Sequence, residues 1–168
     1  MNGCAKSRPD MLKSQDVQVF SGAISAFFNN STRRPAVVRS SYLAETAHTL
    51  PKADFSGVID LGGRYRGWVC FSASRGLLSH VLVSMGLGSY TDAGHLDLVG
   101  EIANVMIGQA QRHFGDDLEI SVPRTFPGNA STLVSESNSL PVLLPMTWNG
   151  YEAVLAVQLV DSRRGAVS

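Results

Sequence analysis

Four residues between positions 97 and 108 have the types and the spacing of a small polar site. Asp97, Glu101, Asn104 and Gly108 follow one another at steps of four, three and four residues. On a helix, at about 100° per residue, they fall within roughly 60° of one another. A carboxylate there can pair with a lysine, and the neighbouring carboxamide can donate and accept hydrogen bonds at once, which lets it orient a water molecule. The glycine leaves room for another backbone to approach.

The stretch that must position these residues, Gly94 to Phe114, is predicted to be one core helix. Thr91 or Asp92 can cap its start, and Gly115 can end it. Its opposite arc carries apolar residues at helical spacing: Val99, Ile102, Ala103, Met106, Ile107 and Ala110. Asn and Gly each cost roughly 0.5 to 1 kcal/mol of helix stability relative to Ala, yet both lie on the polar stripe. The residues alone leave two interpretations open: an ordinary solvated face, or a site for a partner.

The composition is that of one globular domain. Hydrophobic residues make up 44% of the 168 residues, and 14 Lys and Arg balance 14 Asp and Glu. Zero net charge predicts no long-range attraction to nucleic acid or to an anionic membrane. The two cysteines, Cys4 and Cys70, form neither a disulfide framework nor a CxxC spacing. With no apolar run near ~18 residues and no signal-peptide pattern, we expect a cytoplasmic protein without nucleic-acid or membrane partners.

No other catalytic set competes with the stripe. The chain has no GxSxG elbow, no GxxxxGK[ST] loop and no HExxH helix. The histidines are scattered, at His48, His80, His95 and His113. We expect His80 and His113 to be partly buried helix residues and not ligands.

The remaining chain predicts an α+β fold, with long helices packed against a largely antiparallel sheet. A helix is expected at 16–29, a strand at 35–42, a short helix between Ser74 and Gly86, a strand at 118–123 and a long loop at 126–139. Hairpins are expected around Gly62-Gly63 and Asn149-Gly150. We expect a flexible tail at 1–13, a single domain at 14–162 and a frayed end at 163–168.

A faint internal repeat relates the two long helices. Residues 20–28 can be laid on residues 98–106, and hairpins follow in both halves. This alignment sets Ala23 opposite Glu101 and Ala26 opposite Asn104. Only the second helix then carries the polar pair.

The stripe resembles the signature of the CheC/CheX/FliY chemotaxis phosphatases: Asp or Ser, three residues, Glu, two residues, Asn, twenty-two residues, Pro. Asp97, Glu101, Asn104 and Pro127 match all four positions with the same gaps. Residues 100–110, GEIANVMIGQA, are similar to the helix of the CheX branch, and the order of elements from about 16 to 161 agrees. No Glu precedes Glu45, so the first helix cannot supply a second such site. The resemblance is therefore to CheX-like members, which carry one site.

The resemblance implies a CheC-like fold with a pseudo-repeat and the activity of a phosphoaspartate phosphatase. Such a hydrolase removes the phosphoryl group from the aspartate of a CheY-like response-regulator receiver in two-component signalling. By analogy, Asn104 would orient the attacking water and Glu101 would pair with the receiver's active-site lysine. Asp97 and Gly108 would support docking, and Pro127 would form a turn that shapes the loop beside the site.

The same resemblance predicts which other molecules take part. The chain itself would hold no cofactor or metal, because Mg²⁺ is expected in the receiver. A homodimer joined through sheet edges is also implied. The alternative function is a non-catalytic CheX-like module that binds a receiver or a flagellar-switch component, and a third is a scaffold or small-ligand domain that only shares the fold.

Overall fold

A computed structural model describes residues 12–46, 50–88, 91–136 and 139–163. The predicted tail at 1–13 and the predicted end at 163–168 lie almost wholly outside these residues. Within the described ranges the elements are, in order, α1 (Ser14–Thr32), β1 (Val37–Val38), β2 (Tyr42–Leu43), β3 (Phe55–Gly63), β4 (Tyr65–Ala73), α2 (Arg75–Ser84), α3 (Asp92–Phe114), β5 (Leu118–Ile120), β6 (Arg124–Pro127), α4 (Ser131–Glu136), β7 (Val142–Trp148) and β8 (Tyr151–Asp161).

The strands of the described residues form one antiparallel sheet in the order β1-β7-β8-β4-β3-β5, with β2 also on β7 and β6 also on β3. The larger core lies between one face of the sheet and the helices α1, α2 and α3. A smaller core lies on the other face, beneath α4 and Leu50. The predicted α+β fold with a largely antiparallel sheet is confirmed.

Both predicted hairpins are present, and turn chemistry explains them. Asn149 and Gly150 have φ angles of 49° and 81°, which is the backbone of a type I′ turn. This turn matches the right-handed twist of β7 and β8. Gly63 has a φ of 76° at the turn between β3 and β4.

The prediction of a long loop over 126–139 is wrong. The segment contains the end of β6, which pairs with β3 from Val58↔Arg124 to Phe55↔Pro127, and the helix α4. The side chain of Asn129 caps α4 by accepting a hydrogen bond from the Ser131 backbone N–H at 3.1 Å. The Ser-rich and Asn-rich composition hid a short helix that buries only one residue, Val134. The strand expected at 35–42 is likewise divided into β1 and β2.

The internal repeat is visible in the topology. In the first half, α1 is followed by β1 and β2, which both pair with β7 of the second half. In the second half, α3 is followed by β5 and β6, which both pair with β3 of the first half. The strands β1, β2, β3 and β4 thus correspond to β5, β6, β7 and β8. If each strand is exchanged for its counterpart, the sheet has the same strand order when it is followed from the opposite edge.

Burial corrects the alignment of the two helices by one residue. Ala23 is 1% exposed, whereas Glu101, its predicted counterpart, is exposed. The matching outward residue of α1 is Gly22, and Ser25 then corresponds to Asn104. The first half thus carries glycine and serine where the second carries glutamate and asparagine.

Candidate functional site

α3 lies directly against β3, and a glycine permits the contact. A Cβ placed on Gly57 would lie 2.5 Å from the carbonyl oxygen of Val99 and 2.9 Å from the Cα of Gly100. These are backbone atoms, so no side chain can rotate away. A glycine inside an apolar strand is the sequence signal of such a close approach, and the sequence interpretation missed it. The contact fixes the height of α3 above the sheet.

Both ends of α3 are capped as predicted. The Thr91 hydroxyl accepts a hydrogen bond from the Gly94 backbone N–H at 3.2 Å. At the other end, Gly115 has a φ of 87° and its N–H donates to the carbonyl of Gln111 at 2.8 Å. The six apolar residues predicted to face the core are all fully buried. Burial along one arc sets the rotation of the helix, so the opposite arc must face solvent.

The predicted stripe lies on that outward arc. Asp97, Glu101 and Asn104 are exposed, and Gly108 is half-buried. No hydrogen bond or ion pair within the described part of the chain engages the three polar side chains. Glu101 and Asn104 lie one turn apart, so they can act on one partner group together. The stripe is a polar surface left unoccupied by the rest of the described protein.

Gly108 is the last residue of the stripe and leaves open space at that end of it. A Cβ at this position would meet nothing within 4 Å. The glycine is therefore not required by packing within the described residues. Its place on the helix, where alanine would give a more stable helix, allows a partner to approach the backbone.

Pro127 lies beside the start of α3. It is the last residue of β6 and pairs with Phe55, whose ring stacks on the His95 ring at a centroid distance of 5.4 Å. The turn follows at Gly128, which has a φ of 88° and donates from its N–H to the carbonyl of Asp54 at 2.8 Å. Pro127 thus ends a strand next to α3, and the expected turn begins one residue later.

His95 is a buried packing residue of α3. Its Nε2 lies 2.8 Å from the Ser79 hydroxyl, while Nδ1 has no partner among the described residues. Burial, and secondarily the charge of Arg75, lowers the pKa of His95, so the ring is neutral at physiological pH. His95 is one of four scattered histidines in the sequence, and its position on α3 places it on the face opposite the stripe.

The other sequence candidates do not form a second site. His113 pairs with Asp16 at 2.8 Å, and His80 contacts the rings of Trp148 and Tyr151. His48 lies outside the described residues. Among the described residues no group of three or more His, Cys, Asp or Glu could hold a metal ion. None of the described helices is long and apolar enough to cross a membrane.

Comparison with known proteins identifies the class to which this fold and helix belong. A CheC-like superfamily protein from Shewanella sp. PV-4 is 18% identical, with a TM-score of 0.74 over 89% of this chain and 98% of that one. The chemotaxis protein CheX from Vibrio vulnificus is 19% identical, with a TM-score of 0.73 over 87% of this chain and 99% of that one. The fold is therefore that of the CheC-like proteins.

A family model, that of the chemotaxis phosphatase CheX, matches residues 55–147 of this chain. The chain belongs to the CheX family of chemotaxis phosphatases. The matched region runs from β3 into β7 and includes all of α3 and its stripe. CheX in the CheX–CheY–BeF3–Mg²⁺ complex from Borrelia burgdorferi has the same fold, at 13% identity and a TM-score of 0.68 over 86% of this chain and 97% of that one. No curated protein matches the chain.

Proposed function

We propose that this protein accelerates hydrolysis of the aspartyl phosphate of a CheY-like receiver, and that Asn104 orients the attacking water. One observation carries the proposal. Glu101 and Asn104 are exposed and have no hydrogen-bond or ion-pair partner among the described residues, and they lie on adjacent turns of a capped, tightly packed helix in a CheX family member. A structural relative forms a complex with CheY, BeF3 and Mg²⁺. We propose a partner of the same kind, a CheY-like receiver, for this chain.

The step requires little chemistry from the protein. The water oxygen attacks phosphorus and the bond between phosphorus and the aspartate oxygen breaks. The aspartate leaves as a carboxylate, and the protons of the water leave with inorganic phosphate. A carboxamide cannot take up the proton of the water at neutral pH, so Asn104 contributes orientation and not base catalysis. Holding a nucleophile in line with the reacting atom lowers the entropic part of the barrier.

The other residues of the stripe would bind the receiver and hold it in place. The carboxylate of Glu101 would pair with the lysine of the receiver's active site, which fixes Asn104 over the phosphoryl group. Asp97 would extend the acidic surface by one turn, and Gly108 would let the receiver approach the helix backbone. Mg²⁺ would be held by the receiver. We expect a cytoplasmic protein that forms a homodimer through sheet edges. Light scattering would test whether it is a dimer.

The test is phosphate release from a phosphorylated cognate receiver in the presence of Mg²⁺. Asn104→Ala should lower the catalysed rate about 100-fold, because the water loses its orientation. Glu101→Ala should weaken receiver binding about tenfold, because a charge-assisted contact is lost. Asn29→Ala is the matched control, since Asn29 is an exposed asparagine on α1. Its activity should equal that of the wild-type protein.

The same assay separates the alternative function. A receiver that binds tightly to the wild-type protein but loses phosphate no faster than on its own would identify a non-catalytic module. Full activity of the Asn104→Ala variant would show that Asn104 does not orient the water.

A further inference from the structure

A rigid apolar corner stands beside the stripe. β5 ends at Ile120 and β6 begins at Arg124, and residues 121–123 form the corner between them. Val122, in the middle of the corner, is 82% exposed. The next most exposed large apolar residue of the described ranges, Val83, is 53% exposed. An apolar side chain this exposed gains little hydrophobic stabilisation from the described fold.

The corner is held in place by one residue of β3. The backbone N–H of Asp60 donates to the Ser121 hydroxyl at 2.9 Å, and the Ser121 N–H donates to the Asp60 carbonyl at 3.0 Å. The Arg124 guanidinium donates two hydrogen bonds to the Asp60 carboxylate, both at 3.0 Å. Both flanks of Val122 are thus anchored, and Pro123 restricts the backbone further.

The corner touches α3 next to the proposed site. A Cβ built on Gly100 would lie 2.9 Å from the Thr125 Cγ2 and 3.5 Å from the Pro123 Cβ. Gly100 precedes Glu101 and lies roughly 40° to 100° around the helix from the stripe residues. Because Gly100 has no side chain, Pro123 and Thr125 lie close to the helix backbone next to Glu101. The corner therefore lies beside α3 at the level of the stripe.

We propose that Val122, together with Pro123, is the apolar contact of this surface for the receiver that docks on the stripe. The proposal rests on the proposed function and names a contact that determines receiver affinity. The stripe offers carboxylates, an amide and a glycine, and it has no large apolar side chain. Protein interfaces of measurable strength usually bury apolar groups at their centre. Val122 is an exposed apolar residue that directly precedes Pro123, the corner residue that lies against α3.

The test is the substitution Val122→Ser. The receiver, loaded with Mg²⁺ and beryllofluoride as a stable phosphoryl mimic, should bind about five- to tenfold more weakly, the loss expected when a valine is no longer buried. The rate at saturating enzyme should stay within about twofold of wild type, because Val122 does not touch the reacting atoms. Val122→Ile should bind as the wild type does. Val83→Ser is the matched control and should leave both quantities unchanged.

The outcomes distinguish this proposal from the one on which it rests. If the wild-type protein neither binds the receiver nor accelerates its dephosphorylation, the proposed function and this proposal both fail. If the wild-type protein is active and Asn104→Ala is not, but Val122→Ser binds as tightly as wild type, only the apolar contact is refuted. An equal loss of affinity in Val83→Ser would refute it as well.

Discussion

The close approach of α3 to the sheet predicts a measurable effect of Gly57→Ala. The new methyl group would begin 2.5 Å from the Val99 carbonyl oxygen, whereas ordinary contacts begin at 3.4 Å, so α3 must move by about 0.9 Å (3.4 minus 2.5). Overpacking of this kind costs about 1 to 3 kcal/mol. For a chain of this size, each kcal/mol lowers the melting temperature by about 2 to 4 °C.

Calorimetry should therefore show a melting temperature several degrees lower for Gly57→Ala. Receiver dephosphorylation should also slow, by up to about 100-fold, because a displacement of about 1 Å disturbs the alignment of reacting groups. Gly22→Ala is the control: its Cβ meets nothing within 4 Å, so better helix propensity should stabilise the protein by up to about 1 kcal/mol. A Gly57→Ala variant with wild-type stability would refute the role assigned to this contact.

Three further predictions concern single residues. Gly108→Ala should stabilise α3 by up to about 1 kcal/mol in urea unfolding and should weaken receiver binding; unchanged binding would remove Gly108 from the docking surface. Because burial lowers the pKa of His95 below its ordinary value of 6.5, only the unfolded state takes up this proton as the pH falls, and stability declines below about pH 6.5. His95→Gln should reduce that decline in the urea midpoint, and an identical pH profile would contradict the assignment. Burial raises the pKa of Cys70 to about 11, so iodoacetamide at pH 8 should label it only after unfolding, as mass spectrometry of its peptide can show.

The parts of the structure that sequence predicted are those set by local chemistry. Asn149-Gly150 specifies a type I′ turn by itself, and Thr91 needs only its own helix to act as a cap. The stripe was predictable because helical spacing alone places Glu101 and Asn104 on one face. The family resemblance then supplied the proposed role, which spacing could not.

The parts that sequence did not predict depend on contacts between distant residues. β6 is a strand because its backbone pairs with β3, more than sixty residues earlier, and nothing in the segment 124–127 shows that partner. Gly57 is needed only because α3 crosses β3 at that point. The register of the repeat required burial, since Gly22 and Ala23 are both small residues and differ only in which one faces the core.

Asn104 is proposed to orient the attacking water and not to contribute to receiver binding. Single-turnover dephosphorylation of a phosphorylated receiver, measured over a range of Asn104→Ala concentrations, tests this proposal most directly. We expect a binding constant within about twofold of wild type and a saturating rate about 100-fold below that of wild type. A variant that binds the receiver normally and still accelerates phosphate loss at the wild-type rate would contradict it.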